Sequence, residues 1–132
     1  MKKTFFALPL LALLMFFGNT SFAQGTTVQT ITIRNNTNCT INAQAHGLDS
    51  GCNIACSTNL LTIGPNGQIT VQFPCGSIDG VTTNVVRVYD PGSGQGASVG
   101  NGCGTTPFAT YTDCQNILRT TNYVNPGLVT IM

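Results

Sequence analysis

Cys39-Thr40-Ile41-Asn42-Ala43-Gln44-Ala45-His46 decides the fold: every odd position is apolar and every even one polar. That period of two belongs to a strand with one face in a core and the other in water. Gln68-Ile69-Thr70-Val71-Gln72-Phe73 repeats it. Weaker strand candidates span 28–34, 60–63, 85–89, 108–112, 117–123 and 128–132. The segments between are turn chemistry: Asn35-Asn36-Thr37-Asn38, Gly64-Pro65-Asn66-Gly67, Asp79-Gly80, Asp90-Pro91-Gly92 and Asn125-Pro126-Gly127. About eight short strands with no amphipathic helical stretch predict an all-β chain, an antiparallel β-sandwich, with a small β-barrel as the alternative. Residues 92–104 hold six glycines in thirteen positions and read as a long loop or an irregular edge.

Upstream of these strands the 132-residue chain opens with Lys2-Lys3, an apolar run from Phe5 to Phe17, and Ser21-Phe22-Ala23, small residues where a signal peptidase reads. Residues 1–23 are expected to be a secretory signal peptide and 24–132 a single β-sandwich domain. The apolar run contains Pro9 and falls short of the roughly 20 residues a membrane span needs. The mature protein is therefore expected outside the cytoplasm, secreted or in the periplasm or cell envelope.

Charged residues make up 7% of the chain, about a quarter of the usual share. Past the leader, Arg34, Arg87 and Arg119 stand against Asp49, Asp79, Asp90 and Asp113, with no Lys and no Glu. Such a surface offers no basic patch for nucleic acid or an anionic membrane. It also supplies few acids for paired-carboxylate catalysis and little charge repulsion against association.

All six cysteines, Cys39, Cys52, Cys56, Cys75, Cys103 and Cys114, follow the leader. An even count in an exported chain predicts three disulfides that reinforce the fold, and spacing leaves their connectivity open. Cys103 and Cys114 flank a short segment that could close as a bridged loop; Cys52 and Cys56 could bridge each other or reach separate strands. A metal site would draw on Cys52, Cys56, Cys75 and His46, but their gaps lack the paired short spacings of zinc ribbons and fingers. No metal and no cofactor is expected.

Ile31-Thr32-Ile33-Arg34-Asn35-Asn36-Thr37-Asn38-Cys39-Thr40-Ile41, followed by Leu61-Thr62-Ile63-Gly64-Pro65-Asn66-Gly67-Gln68-Ile69-Thr70-Val71, sets a strand, an Asn-rich turn and a Cys-bearing strand before a Pro-Gly hairpin. This layout resembles that of small exported Cys-containing β-sandwich proteins of Bacteroidota-type bacteria, and the leader ending Phe22-Ala23-Gln24 is similar to theirs. The resemblance covers the first half of the mature chain. It implies the fold and export, and it carries over no catalytic residue.

Three motifs invite a catalytic reading. Gly96-Ala97-Ser98-Val99-Gly100 matches the nucleophile elbow of serine hydrolases, yet an elbow needs a helix after the serine and a histidine later in the chain. Asn101-Gly102-Cys103-Gly104 cannot start that helix, and the only histidine, His46, comes earlier. Gly92-x-Gly94-x-x-Ala97 mimics a dinucleotide fingerprint but lacks the helix that would receive the pyrophosphate. His46-Gly47-Leu48-Asp49-Ser50 gathers a base, an acid and a hydroxyl, which reads more simply as a strand end entering a turn. Tyr89, Tyr111 and Tyr123 could stack on sugars, although on strands such residues are mostly half-buried.

What remains is the surface. Thr40, Asn42, Gln44 and His46 on one strand and Gln68, Thr70 and Gln72 on another put neutral hydrogen-bonding groups where Lys and Glu usually stand. Such faces dock another surface without desolvating charge. The expected function is that of an exported, non-catalytic structural, adhesive or ligand-binding module whose partners are itself or an extracellular polysaccharide. Two alternatives stand beside it: a small secreted hydrolase using Ser98 or His46 with Asp49, and an ice- or crystal-surface-binding protein using the Thr-x-Thr pairs Thr30/Thr32 and Thr110/Thr112.

Overall fold

A computed structural model describes residues 29–73, 83–125 and 127–132. The leader, Cys75 and the Asp79-Gly80 turn lie outside the described residues. Ten strands are described: β1 (Gln29–Asn35), β2 (Ile41–Leu48), β3 (Ile54–Ser57), β4 (Leu61–Ile63), β5 (Gln68–Phe73), β6 (Thr83–Asp90), β7 (Gln95–Gly100), β8 (Phe108–Thr112), β9 (Leu118–Asn125) and β10 (Leu128–Ile131). One sheet runs β5-β1-β10-β9-β8; the other runs β3-β2-β6-β7, with β4 also on β2. The two face each other as a sandwich and neither closes into a barrel.

The period of two does what it promised. Ile41, Ala43 and Ala45 of β2 meet Ile31 and Ile33 of β1, Val86 and Val88 of β6, Val99 of β7 and Val129 and Ile131 of β10 in one buried cluster. Each buried Ile or Val contributes roughly 1.5–3 kcal/mol relative to exposure. Tyr111 and Tyr123 complete the cluster from β8 and β9.

Four sequence expectations need correction. The sandwich is not wholly antiparallel: β1 pairs with β10 in parallel, Arg34 opposite Thr130. Two strands were not foreseen. β3 shows no alternation and is largely exposed, so burial leaves no mark on its sequence. β7 occupies the middle of the glycine-rich segment, where the glycines answer close backbone approach: a Cβ on Gly96 would run into the Val88 carbonyl oxygen. Finally, Cys103 and Cys114 do not bridge each other. The disulfides are Cys39–Cys114 and Cys52–Cys103, with Cα separations of 5.9 Å and 5.5 Å; Cys56 is disulfide-bonded as well.

The bridges sit at opposite ends of the sandwich. Cys39 precedes β2 and Cys114 follows β8, so the first ties one sheet to the other. At the same end the Asn-rich turn is a buried polar knot. Asn35 donates from Nδ2 to the carbonyls of Cys39 (2.7 Å) and Gly64 (2.9 Å) and accepts at Oδ1 from the Thr37 hydroxyl (2.8 Å). Asn35 and Thr37 are almost wholly buried. This knot holds two of the places where the chain crosses between sheets, β1 to β2 and β4 to β5.

Candidate functional site

The expected contact residues divide between the two sheets. Gln68, Thr70 and Gln72 point outward from β5. Asn42, Gln44 and His46 alternate with the core positions of β2 and so belong to the outer face of the other sheet, with Thr40 just before them. The two sets therefore lie on different outer faces.

On the β2 side, Asn42 pairs across to Tyr89, Gln44 to Arg87 and His46 to Val85; β7 continues these rows with Gly96, Ser98 and Gly100. Gln44 is turned aside: its amide donates to the Thr58 carbonyl at 2.9 Å, where the chain passes from β3 to β4 along the edge of β2. Tyr89 is 46% exposed, whereas Tyr111 and Tyr123 are 3% and 8% exposed. Only Tyr89 of the three is open to a ligand.

His46 is buried, not a member of an open polar surface. Its Nδ1 lies 2.7 Å from the Ser57 hydroxyl on β3, and its Nε2 is buried with no hydrogen-bond partner. With Ser57 donating, the ring carries its own proton on Nε2. Burial, helped by the positive charge of Arg87, holds the imidazole below its ordinary value of 6.5, so it is neutral at pH 7.

The triad does not assemble. Asp49 spends its carboxylate on the β2–β3 turn, accepting from the backbone N–H of Gly51 (2.8 Å) and Asn53 (2.9 Å). The Asn53 N–H is foremost in holding the Asp49 carboxyl below the usual carboxylate value. Ser98 stands exposed in mid-strand opposite Arg87, two strands from His46, and no helix follows it. A hydroxyl beside His46 does exist, but it is Ser57, eleven residues away in sequence across a hairpin; no motif spacing could have found it.

Asp90 is equally committed. Wholly buried at the end of β6, it accepts from the N–H of Gly92 (2.7 Å), Ser93 (3.3 Å) and Cys114 (2.7 Å), the turn-capping role its Asp-Pro-Gly context predicts. Its carboxylate and the sulfurs of Cys39 and Cys114 lie within 4.8 Å of one another. Those sulfurs are bonded to each other, so the cluster offers no thiolate to a metal.

The other sheet presents an outer face almost free of charge. Alternation along its strands sends outward Gln68, Thr70 and Gln72 (β5), Thr30, Thr32 and Arg34 (β1), Leu128 and Thr130 (β10), Leu118, Thr120, Asn122 and Val124 (β9), and Phe108, Thr110 and Thr112 (β8). Arg34 carries the one charge among them. Pairing sets Thr70 opposite Thr32, their hydroxyls 2.9 Å apart, and Thr120 opposite Thr110. The composition predicts a neutral surface; the assembly of Thr120, Thr130 and Thr70 onto one face depends on strand order, which local sequence does not encode.

No family model, curated protein or solved structure matches this chain.

Proposed function

We propose that this protein is exported and works by contact rather than catalysis, docking the outer face of the β5-β1-β10-β9-β8 sheet onto an uncharged extracellular polysaccharide as an adhesive or structural module. Two disulfides support life in an oxidising compartment, and no helix among the described residues is long and apolar enough to cross a membrane. The observation that carries the proposal is the five-strand face with one charged residue, where hydroxyls and amides stand in rows about 4.8 Å apart. Sugar hydroxyls exchange hydrogen bonds with such groups without stripping water from ions.

The oxidised protein is expected to be retained by an insoluble neutral polysaccharide such as cellulose, and to stay retained in 1 M salt because ion pairs contribute nothing. Thr32→Lys with Thr130→Lys should weaken retention about tenfold, the effect of roughly 1.4 kcal/mol. No retention on a panel of neutral polysaccharides, or retention indifferent to the two lysines, refutes the reading.

The opposed pairs Thr70/Thr32 and Thr120/Thr110 favour a second reading, ice or another crystal surface, because they add matched hydroxyls to Thr30/Thr32 and Thr110/Thr112. Thermal hysteresis above that of a buffer blank would support it; zero hysteresis would end it.

A further inference from the structure

β5 is the outermost strand of its sheet and, among the described residues, pairs with β1 alone. The Asn35 N–H donates to the Gly67 carbonyl at 2.8 Å, which fixes the phase of the antiparallel ladder. Hydrogen-bonded pairs recur every second residue, so Ile33/Ile69 and Ile31/Val71 face each other in that manner. The N–H and C=O groups of Gln68, Thr70 and Gln72 consequently point away from β1, along an edge that no described strand covers.

Exposed edges are ordinarily blunted by charge, proline or a bulge. Residues 68–73 contain no charge, no proline and no glycine, and the β1–β5 register runs without a shift. The charge beside the strand is Arg34 of β1, which donates from Nε and Nη2 to the Gln68 side chain at 3.4 Å and 3.3 Å and so sits over one end of β5, two residues from Thr70.

The segment is also complementary to itself. Laid antiparallel about Thr70, two copies set Thr70 against Thr70 and Gln68 against Gln72. These are the three residues whose backbone groups face outward, so all of them find partners at once, in the closed two-fold arrangement that a dimer requires. We infer that β5 is a self-association edge, through which two copies of this chain join their five-stranded sheets into one ten-stranded sheet. This goes beyond the contact reading and does not depend on it.

Sedimentation of the oxidised full chain, purified from an exporting host, tests the inference. The protein should pass from monomer to dimer as concentration rises. Thr70→Lys and Thr70→Glu each place like charges face to face at the axis and should weaken the dimer several-fold, while an equimolar mixture of the two recovers it. Both variants give up only the exposed hydroxyl contact between Thr70 and Thr32, so they should keep the wild-type circular dichroism and lower the monomer's urea midpoint only slightly. Thr130→Lys, on the same outer face but in a central strand, should leave the dimer intact. A monomer at every concentration, a dimer indifferent to the Thr70 variants, a mixture that stays monomeric, or equal disruption by Thr130→Lys overturns the proposal. Loss of polysaccharide retention alone leaves it standing.

Discussion

Single residues in this protein are occupied more by holding turns than by chemistry. Asp90 is the clearest case: truncation to Ala would leave three backbone N–H groups without their acceptor beside the Cys39–Cys114 bridge. Buried orphan donors are costly, and Asp90→Ala is expected to lower unfolding free energy by about 3 kcal/mol, read from urea denaturation of the oxidised protein. Asp90→Asn keeps one carbonyl oxygen and should cost less. His46 gives a pH dependence. Burial and Arg87 depress its folded value, so the unfolded chain takes up a proton first as pH falls. Stability is full above the ordinary value of 6.5 and declines once the pH drops below it. The urea midpoint should therefore fall between pH 7.5 and 5.5, and His46→Gln should flatten that slope. Asp113 acts in the acid range. Burial alone would raise its carboxyl, but the Ile117 and Gln115 N–H groups and Arg119, whose Nε is 2.6 Å away, together draw it below the usual carboxylate value. Its contribution is present above about pH 4 and is lost as pH falls through the folded value.

At the level of strands, legibility followed burial. β2 and β5 bury one face and expose the other, so alternation found them. β3 lies at an edge with little buried, and β7 is written in glycine, so neither left a periodic trace. The glycine-rich stretch is better understood as packing than as slack. A Cβ on Gly92 would approach the Cys114 Cβ to 2.6 Å, so Gly92→Ala should push the Asp90 turn off the bridge at a cost of about 1–3 kcal/mol, measurable as a lowered Tm. The solvent-facing turn glycine Gly64, with open space around its Cα, should accept Ala with little change. The site was legible to a smaller degree. Neutral faces followed from composition, but their membership did not, because the parallel β1–β10 pairing brings residues from the two ends of the chain side by side. His46 misleads by sequence for a related reason: it keeps the polar phase of β2 while being buried at a place where alternation predicts water.

For the molecule as a whole, the two described bridges set how much the scarcity of charge matters. With so few ion pairs, stability rests on the apolar cluster, the buried polar knot at Asn35 and the restriction of the unfolded chain. Cys39–Cys114 and Cys52–Cys103 span 75 and 51 residues. By chain entropy each loop is worth about 4 kcal/mol, the two differing by only about 0.3 kcal/mol because closure entropy grows slowly with length. Entropy alone thus predicts nearly equal losses for Cys39→Ala/Cys114→Ala and Cys52→Ala/Cys103→Ala. Their surroundings are unequal. Cys39 is buried in the core cluster and its bridge carries the Asp90 and Gly92 contacts between the sheets, whereas Cys52 lies exposed in the β2–β3 turn. The first double variant should therefore fall further in urea midpoint than the second, by the equivalent of about 1–2 kcal/mol for the cavity and the loosened carboxylate. Equal midpoints would mean that the bridges act on the unfolded chain alone and that the junction at Asp90 contributes nothing beyond them.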